Sequence, residues 1–578
     1  MKPVFLPQHR MQLGQALTPA QVPSVFKQAI ALHQQGRLQQ AQALYERVLQ
    51  AQPQHVPSLQ MLGTAAVQTG KFPAAVDWYT RAIRLQPESP ELHAQVGFAL
   101  QELGQLAAAV EAYDRALALN PRQADTCNNR GVALQRQMRL DEAIASYDQA
   151  IALRPGYAEA HFNRGSALLT SKQPERALTS LDAAIALRPD YVKAHVNRGV
   201  ALQQSKRPDL ALISHEKAIA LNPYYPEAHF NRGSALQALK RLDMAAESYN
   251  RAIALRADYA DAYLFKSTVC LLQGNFSQGL ELYEWRWKTE ESAPRIRPFV
   301  QPLWQGDASL EGKRILLHGE QGLGDMVQFC RYAKLVAARG AYVILEVPKL
   351  LTKVLEGLDG VHEMVPLGGT LPPFDFHCPL LSLPRAFQTD LTTIPHSPSY
   401  LRSHPALVQA WKNRLGPKTR PRVGIVWSGS PQHAMDCNRS ITLESLLPYL
   451  PTTWECISLQ KEVRAIDQSA LTGQAGMRHF GDALKDFEDT AALCSLMDVV
   501  ISVDTSVAHL SAALGQPTWI LLPFVPDWRW LLDREDSPWY PSAKLYRQAT
   551  EGDWAGVLAR ICADLRAFTV NLPPCSVR

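Results

Sequence analysis

"NRGVALQRQMRLDEAIASYDQAIALRPGYAEAHFNRG", residues 129–165, starts and finishes with the same tripeptide, 34 positions apart. The interval recurs throughout the first half of the chain, and an internal repeat of this length determines the fold more strongly than any local pattern. Four residue types keep the same step. Their positions are Pro53, Pro87, Pro121, Pro155, Pro189 and Pro223; Gly63, Gly97, Gly131, Gly165, Gly199 and Gly233; Ala41, Ala75, Ala109, Ala143, Ala177, Ala211 and Ala245; and Tyr45, Tyr79, Tyr113, Tyr147, Leu181, His215, Tyr249 and Tyr283.

These residue types suit a unit of two packed helices. Glycine and alanine let two helices approach closely, the ring fills the gap between successive hairpins, and proline ends the unit because it cannot continue a helix. The pattern resembles the tetratricopeptide repeat, a helix-turn-helix unit of 34 residues, and predicts an α-solenoid of about eight units over residues 19–288. In the last unit Ala257, Ser267 and Gly279 replace the usual proline, glycine and alanine, as expected next to a different domain.

A row of asparagines stands two positions before the repeat glycines, on the predicted first helix of each unit. One interpretation is a ladder of amides that binds the backbone of an extended peptide, which a similar ladder in the repeat domains of protein O-GlcNAc transferases implies. The other interpretation is that these amides bridge neighbouring repeats. The row consists of Asn129, Asn163, Asn197 and Asn231.

A row of histidines stands four positions before the same glycines. It consists of His161, His195 and His229. Because this position normally packs against the next helix, we expect a structural role for these imidazoles rather than metal binding.

After the repeats the sequence changes to short apolar runs separated by helical segments, such as "RILLH" (314–318) and "AYVILEV" (341–347). Such runs predict parallel sheets with helical crossovers. Two series of them predict two Rossmann-like halves with a ligand cleft between them. The predicted organisation is the solenoid at 19–288, a linker at 289–312, the N-terminal half at 313–400, an interdomain linker at 401–420, the C-terminal half at 421–565 and a tail at 566–578.

The segment "HGEQGLGDMVQF" (318–329) has the glycines of a phosphate-binding loop but not its chemistry. A GxGxxG motif needs glycine where Val327 stands, and a P-loop needs lysine where Asp325 stands. Asp325 has two interpretations: it caps the following helix, or it is a general base beside glycines that let a substrate approach. The loop residues expected on the acceptor side are Gln321, Gly322 and Gly324.

Polar residues follow three predicted strands of the second half, in "VGIVWSGS" (423–430), "SLQKE" (458–462) and "ISVDTSVAHL" (501–510). Because the carboxyl ends of parallel strands meet at one edge of a sheet, these residues should face one crevice. The free amides of a helix beginning near Thr505 make a seat for a diphosphate. The predicted donor-binding residues are Ser428, Gly429, Arg439, Gln460, Lys461, Asp504, Thr505, Ser506 and His509.

"GLGD" (322–325) together with "SVDTSVAHLSAALGQPTW" (502–519) resembles the family 9 glycosyltransferases, the lipopolysaccharide heptosyltransferase group. The resemblance implies a GT-B fold and a nucleotide-diphosphate sugar as substrate, with no bound metal and no other cofactor. It also implies Asp325 as the base, Lys461 on a donor phosphate, and the segment from Asp504 to His509 on the diphosphate. Ser506 stands where the family usually has glycine, which leaves the donor open. The overall plan is also similar to that of protein O-GlcNAc transferases.

Composition restricts the class of protein. A net charge of +5 over 578 residues, without a basic block, gives no indication of nucleic acid binding. Nine scattered cysteines without a CxxC pair favour a reducing, cytoplasmic location. We find no secretory signal and no apolar run long enough to insert in a membrane.

These patterns lead to two hypotheses about function. The first is a metal-independent glycosyltransferase that moves a sugar to a hydroxyl acceptor, a protein or peptide presented by the repeats. The alternative is a repeat-based interaction scaffold whose second half binds a nucleotide sugar without transferring it. The joint retention of Asp325, Lys461, Asp504 and His509 favours the enzyme.

Overall fold

The computed structural model describes residues 17–291, 295–432, 436–473 and 476–570. The chain divides into two compact units, one ending at Ala235 and the other beginning at Leu236. The first consists of helical repeats. The second contains the last repeats and an α/β region.

The repeats are helical hairpins, as the sequence predicts. Within residues 17–291 the described chain forms sixteen α-helices. They are α1 (Val22–Gln34), α2 (Leu38–Ala51), α3 (Val56–Gln68), α4 (Phe72–Leu85), α5 (Pro90–Glu102), α6 (Leu106–Leu119), α7 (Ala124–Arg136), α8 (Leu140–Leu153), α9 (Ala158–Thr170), α10 (Pro174–Leu187), α11 (Val192–Gln204), α12 (Pro208–Leu221), α13 (Pro226–Ala238), α14 (Leu242–Leu255), α15 (Ala260–Leu272) and α16 (Phe276–Tyr283).

The repeated glycines and alanines pack as their types predict, and the rings contact the glycines of their own hairpins. The alanines from Ala41 to Ala245 are all fully buried, and the rings of the Tyr45 register lie in the core. A Cβ atom added to Gly131 would lie 2.5 Å from Cε1 of Tyr147, so this position requires glycine. The close approach of the two helices in a hairpin therefore depends on the glycine and ring pair.

The turn inside each hairpin contains a residue in the left-handed region. Gly104 has φ of +75° there, and the next three hairpins place Met138, Lys172 and Lys206 at φ of 61°, 58° and 57°. A residue with a side chain is strained in this conformation, whereas glycine adopts it without strain. The turn geometry is thus retained where the sequence no longer has glycine.

The α/β region consists of strands joined by helices. The strands are β1 (Arg314–His318), β2 (Tyr342–Val347), β3 (Glu363–Pro366), β4 (Phe376–Pro379), β5 (Arg422–Val426), β6 (Glu455–Ser458), β7 (Met477–His479), β8 (Val499–Val503), β9 (Thr518–Leu522) and β10 (Ala543–Arg547). The helices are α17 (Leu323–Phe329), α18 (Ala333–Ala337), α19 (Lys349–Thr352), α20 (Leu383–Ala386), α21 (Pro405–Leu415), α22 (Asp436–Arg439), α23 (Leu443–Leu446), α24 (Ala465–Gly473), α25 (Phe487–Cys494), α26 (Ser506–Ala513) and α27 (Trp554–Val570).

The strands form two sheets in which the pairings between named strands are parallel. The four-stranded sheet has the order β3-β2-β1-β4, and the six-stranded sheet has the order β10-β9-β8-β5-β6-β7. Counted from its first strand, the larger sheet has the 3-2-1-4-5-6 order of doubly wound folds. The predicted α/β architecture is thereby confirmed, and the direction of winding reverses between β5 and β8.

The end of the repeat region belongs to the second compact unit because it packs on the α/β region. Glu281 forms a 2.6 Å ion pair with Arg385, and the rings of Phe276 and Trp528 have centroids 6.0 Å apart. The predicted linker at 401–420 contains helix α21. Residues 566–570 of the predicted tail continue α27, and residues 571–578 lie outside the described residues.

Candidate functional site

Several of the predicted donor residues lie at the carboxyl edge of the six-stranded sheet, where the winding reverses. Ser428 and Gly429 follow β5, and Asp504 and Thr505 follow the adjacent β8. Arg439 joins the two strand ends, because its Nη1 donates a 2.8 Å hydrogen bond to the backbone oxygen of Asp504. Ligands of doubly wound sheets bind at such a switch point.

Glycine at 429 is needed for this arrangement. A Cβ atom there would lie 2.6 Å from Nη2 of Arg439 and 2.8 Å from Oδ1 of Asp436. The backbone of the loop is also held by Ser440, whose Oγ accepts a 3.0 Å hydrogen bond from the Gly429 amide. The loop after β5 is therefore shaped around the Arg439 guanidinium.

Gln460 holds the backbone of Ser428 rather than facing solvent. Its Nε2 donates to the Ser428 carbonyl at 3.0 Å, and its Oε1 accepts from the Ser428 amide at 3.4 Å. The Oγ of Ser428 is buried and has no hydrogen-bond partner among the residues that the structure describes. That hydroxyl is accordingly a buried polar group at the strand end that the described residues leave unpaired.

Lys461 lies at the same sheet edge but is exposed. Its Nζ donates to the backbone oxygen of Lys485 at 3.3 Å. The ammonium therefore contacts a backbone carbonyl in this structure.

His509 lies in α26 and is buried. Its Nδ1 is 2.9 Å from the Tyr540 hydroxyl, its Nε2 is 3.8 Å from Oδ1 of Asp504, and its ring stacks on Trp530. Burial, reinforced by the charge of Arg529, lowers the pKa of His509 well below its usual range. The imidazole is therefore neutral at pH 7, and its ring is held by Tyr540 and Trp530.

Asp504 lies at the end of β8, beside other charged groups. Burial and the carboxylate of Asp527 raise the pKa of Asp504. Thr505, at the N-cap of α26, and Ser506, its first residue, leave the first backbone amides of the helix directed at this edge. The helix N-terminus is therefore an electropositive surface next to a carboxylate of raised proton affinity.

The glycine loop of the four-stranded sheet packs directly against α26. A Cβ atom on Gly324 would lie 2.9 Å from Cδ2 of His509 and 3.4 Å from the Cα atom of Ser506. Gln321 contacts the last repeat instead, with its Nε2 3.2 Å from the Tyr283 hydroxyl. The structure thus brings together the two motifs that the sequence singled out, residues 322–325 and 504–509.

Asp325 makes two strong contacts. Its Oδ2 accepts a 2.9 Å hydrogen bond from the Gly322 amide at the start of α17, which confirms the interpretation as a helix cap. Its Oδ1 forms a 2.5 Å ion pair with Nη2 of Arg529. The carboxylate is half-buried at the junction of the loop with the segment that follows β9.

Arg529 is the main residue that the sequence reading missed. It lies in "DWRW" (527–530), just beyond the apolar strand β9, and its side chain is 7% exposed between Asp325 and Asp527. The sequence does contain a signal for it: Asp527 and Arg529 are charged residues set among tryptophans, which is unusual for a surface loop.

A second buried pair lies on the other side of the glycine loop. Glu320 forms a 2.8 Å ion pair with Arg286, which follows the last repeat helix. Arg286 also contacts Glu284 at 2.8 Å and Ser382 at 2.8 Å. Burial raises the pKa of Glu320 to about 7. The loop that contains Asp325 is therefore fixed to the end of the repeats.

The asparagine row lies on the first helices of the hairpins, as predicted, and its four members are half-buried. Asn163 donates a 2.9 Å hydrogen bond from Nδ2 to Oδ1 of Asn128 in the preceding hairpin. The bridging role is thus present at this member of the row. Peptide binding by the row stays a prediction.

The arginines that follow the first three asparagines form a ladder that the sequence reading missed. Each guanidinium pairs with an aspartate 16 positions earlier, at 2.5 to 2.7 Å. Each also donates to a serine 16 positions later. The ladder joins one hairpin to the next, and its members are Arg130, Arg164 and Arg198.

The histidine row is structural, as predicted. The Nε2 atoms of His161, His195 and His229 each lie 2.9 Å from the carbonyl oxygen of the proline six positions earlier. A carbonyl only accepts, so each imidazole donates and secures the turn that begins its repeat.

Two searches of the described residues concern other kinds of site. None of the described helices combines the length and apolar character needed to cross a membrane. No group of three or more histidine, cysteine, aspartate or glutamate side chains that could hold a metal ion occurs within the described part of the chain.

Comparison with curated proteins and solved structures gives partial matches. FlbA of Caulobacter vibrioides is 28% identical over 334 residues, which cover 53% of this chain and 55% of FlbA. The chain thus spans about half the length of that relative. Among solved structures, YrrB, described as a TPR protein with an unusual peptide-binding site, is 23% identical, with 32% of this chain and 95% of YrrB covered and a TM-score of 0.29. A tetratricopeptide repeat protein from Parabacteroides merdae is 15% identical, with coverage of 43% and 99% and a TM-score of 0.36.

Family models match the first half of the chain in several segments. Tetratricopeptide repeat models match residues 26–90, 162–226 and 226–259, and a TPR repeat model matches residues 99–137 and 139–172. These matches agree with the helical hairpins and with the period of 34. The N-terminal region of this chain is built of tetratricopeptide repeats.

Proposed function

We propose that the α/β region is a glycosyltransferase of GT-B architecture that uses a nucleotide-diphosphate sugar, and that the repeats present its protein or peptide acceptor. The observation that carries the proposal is the contact between the glycine loop and α26. There the candidate base Asp325 lies in the same helical turn as Gly324, which touches His509 and Ser506. A base and a diphosphate seat on adjoining elements are what direct sugar transfer requires.

The chemistry follows from the groups at this edge. The acceptor hydroxyl oxygen forms a bond to the anomeric carbon as the bond from that carbon to the diphosphate oxygen breaks. Asp325 takes the hydroxyl proton. The nucleoside diphosphate leaves with the bonding electron pair, and its charge is stabilised by Arg439, the amides at the start of α26 and, after a change of rotamer, Lys461.

A second function is supported by the contacts of Asp325. Both of its carboxylate oxygens are engaged, by the Gly322 amide and by Arg529. A carboxylate held in this way suits a structural cap and ion pair. The alternative function is therefore a repeat-based interaction scaffold whose α/β region binds a nucleotide sugar without transferring it.

Binding is tested first, with purified full-length protein and ADP, GDP and UDP in a thermal-shift assay. A nucleotide that binds the folded state raises the melting temperature with concentration. We expect one of the three to do so, and Arg439→Met to weaken its binding at least tenfold. Arg534→Met, which removes a half-buried arginine paired with Asp536, is the matched control. A protein that none of the three nucleotides stabilises would contradict both functions.

Transfer is tested next, by release of nucleoside diphosphate from a panel of sugar donors of the preferred base, with peptide mixtures as acceptors. If the protein is a glycosyltransferase, the wild type should release nucleoside diphosphate. Asp325→Asn should abolish this release and still bind the nucleotide. Binding without release in the wild-type protein supports the scaffold.

A further inference from the structure

Arg529 occupies an unusual position for a charged side chain. It is buried, its Nη2 lies 2.5 Å from Oδ1 of Asp325, and its Nη1 lies 2.8 Å from Oδ1 of Asp527. Its guanidinium also packs on the rings of Trp528 and Phe329. One positive charge is thus shared between two carboxylates that belong to different segments of the α/β region.

The Arg529 guanidinium has a hydrogen-bond donor that is not used within the described part of the chain. Within the described part of the chain its Nε has no hydrogen-bond acceptor, although the atom is buried. Arginine offers five donors in a planar fork, which matches the oxygens of a phosphate. The contact between Gly324 and Ser506 brings the partner of Arg529, the Asp325 turn, against the N-terminus of α26. The guanidinium is therefore next to the proposed diphosphate seat.

The ion pair has a consequence for catalysis. A carboxylate oxygen that a guanidinium engages is not available to receive a proton, and the other oxygen of Asp325 is engaged by Gly322. A diphosphate carries more negative charge than one carboxylate and competes for the same fork. Asp527 keeps its own contact with Arg529, so the guanidinium stays anchored when it leaves Asp325.

We propose that Arg529 restrains Asp325 until the donor binds, and that the donor diphosphate then draws the guanidinium away and frees the carboxylate to act as the base. This inference rests on the proposed function. It makes Arg529 a positioning residue that couples donor binding to activation of Asp325. The base is then free only when a sugar is in place to receive the acceptor oxygen.

The test measures the reactivity of Asp325 itself and needs no knowledge of sugar or acceptor. Full-length protein is treated with a water-soluble carbodiimide and glycine ethyl ester, and labelling of each carboxylate is quantified by peptide mass spectrometry. We expect low labelling of Asp325 in the free protein and a several-fold increase with the nucleoside diphosphate that binds. Asp359, whose side chain is 73% exposed, is the internal reference.

Variants separate this role from a merely structural one. Arg529→Met should give high labelling of Asp325 without nucleotide, and nucleotide should then add nothing. Arg529→Lys keeps the charge but lacks the planar fork of the guanidinium, so labelling should be intermediate and still respond to nucleotide. Arg534→Met should behave as the wild type. Circular dichroism establishes that each variant is folded. If Arg529→Met does not fold, the labelling of Arg529→Lys tests the proposal in its place.

The outcomes distinguish the two proposals. If none of ADP, GDP and UDP binds the wild-type protein, the proposed function fails. If one binds while labelling of Asp325 stays unchanged, nucleotide binding stands and the coupling through Arg529 is overturned. Equal labelling of Asp325 in the free wild-type and Arg529→Lys proteins would also overturn it.

Discussion

Glu320 and Arg286 form a buried ion pair of 2.8 Å that joins the loop after β1 to the turn after the last repeat helix. Their side chains are 4% and 2% exposed. Arg286 is shared with Glu284, so one guanidinium serves two carboxylates. A buried charge that is only partly compensated is costly, and this makes the junction sensitive to pH.

Glu320→Gln should make the folded protein more stable than the wild type at neutral and alkaline pH. Burial raises the pKa of Glu320 to about 7, above its value in an unfolded chain. Folding therefore favours the protonated form, and its contribution is present at low pH and lost as the pH rises through 7. The size is about 3 kcal/mol, at roughly 1.4 kcal/mol per pH unit. We expect the variant to melt at a higher temperature than the wild type at pH 8 and at a similar temperature at pH 5.

The measurement is a calorimetric melting curve of the full-length protein at several pH values. Glu363→Gln is a control, because its carboxylate pairs with Arg314 at 3.0 Å on a partly exposed surface. A Glu320→Gln protein whose melting temperature follows the wild-type pH profile would contradict the burial argument.

His215→Tyr should stabilise the repeats most strongly in acid. His215 is fully buried in the register that other hairpins fill with tyrosine, and burial lowers its pKa to about 4. Between pH 6.5 and pH 4 the unfolded chain binds a proton that the folded chain does not, so stability falls as the pH falls. Tyr147 bonds Gln135 at 2.9 Å, and Gln203 offers the same acceptor at 215.

We expect the gain from His215→Tyr to be about 2 kcal/mol larger at pH 5 than at pH 8. Urea unfolding followed by circular dichroism measures it. Leu181→Tyr changes the same register one repeat earlier without a titrating group, and its effect should not depend on pH. A gain from His215→Tyr that is equal at both pH values would show that the imidazole is not the source.

Lys172→Gly should stabilise the repeats although it removes a side chain. Lys172 is exposed and has φ of +58°, a conformation that costs a side chain roughly 1 kcal/mol relative to glycine. The reverse change, Gly104→Ala, should destabilise by a similar amount, since φ is +75° and the space around a Cβ atom is open. Urea midpoints of the two variants should move in opposite directions. Movement in the same direction would exclude backbone conformation as the cause.

The repeats could be predicted from the sequence nearly in full, because their packing is local and periodic. The repeat glycines from Gly63 to Gly199 each meet the side chain 16 positions later in the same hairpin, so the contact recurs with the sequence period. The parallel α/β character of the second half also followed from its apolar runs, which are separated by helical segments. The division between the compact units did not, because it depends on contacts such as Glu281 with Arg385, which lie 104 positions apart.

The candidate site was predicted less completely, for the same reason. Strand ends identified Ser428 and Asp504, since parallel topology brings such residues together. The partner of Asp325 lies 204 positions away in a short 3-10 helix, and no periodicity in the sequence links the two residues. Nor could the sequence indicate that His509 would turn inward, because its orientation follows from a hydrogen bond with Tyr540.

Gly324→Ala should destabilise the α/β region, although alanine normally stabilises a helix by roughly 1 kcal/mol relative to glycine. The added methyl group would lie 2.9 Å from the His509 ring, which cannot yield because Tyr540 and Trp530 hold it. Overpacking of this kind costs about 1–3 kcal/mol. Displacing α17 from α26 should also lower affinity for the nucleoside diphosphate, measured by titration calorimetry. Gly156→Ala is the control, since no atom lies within 4 Å of a Cβ atom placed there. If Gly324→Ala melts at or above the wild-type temperature and binds nucleotide equally well, the contact between the glycine loop and α26 does not form the site.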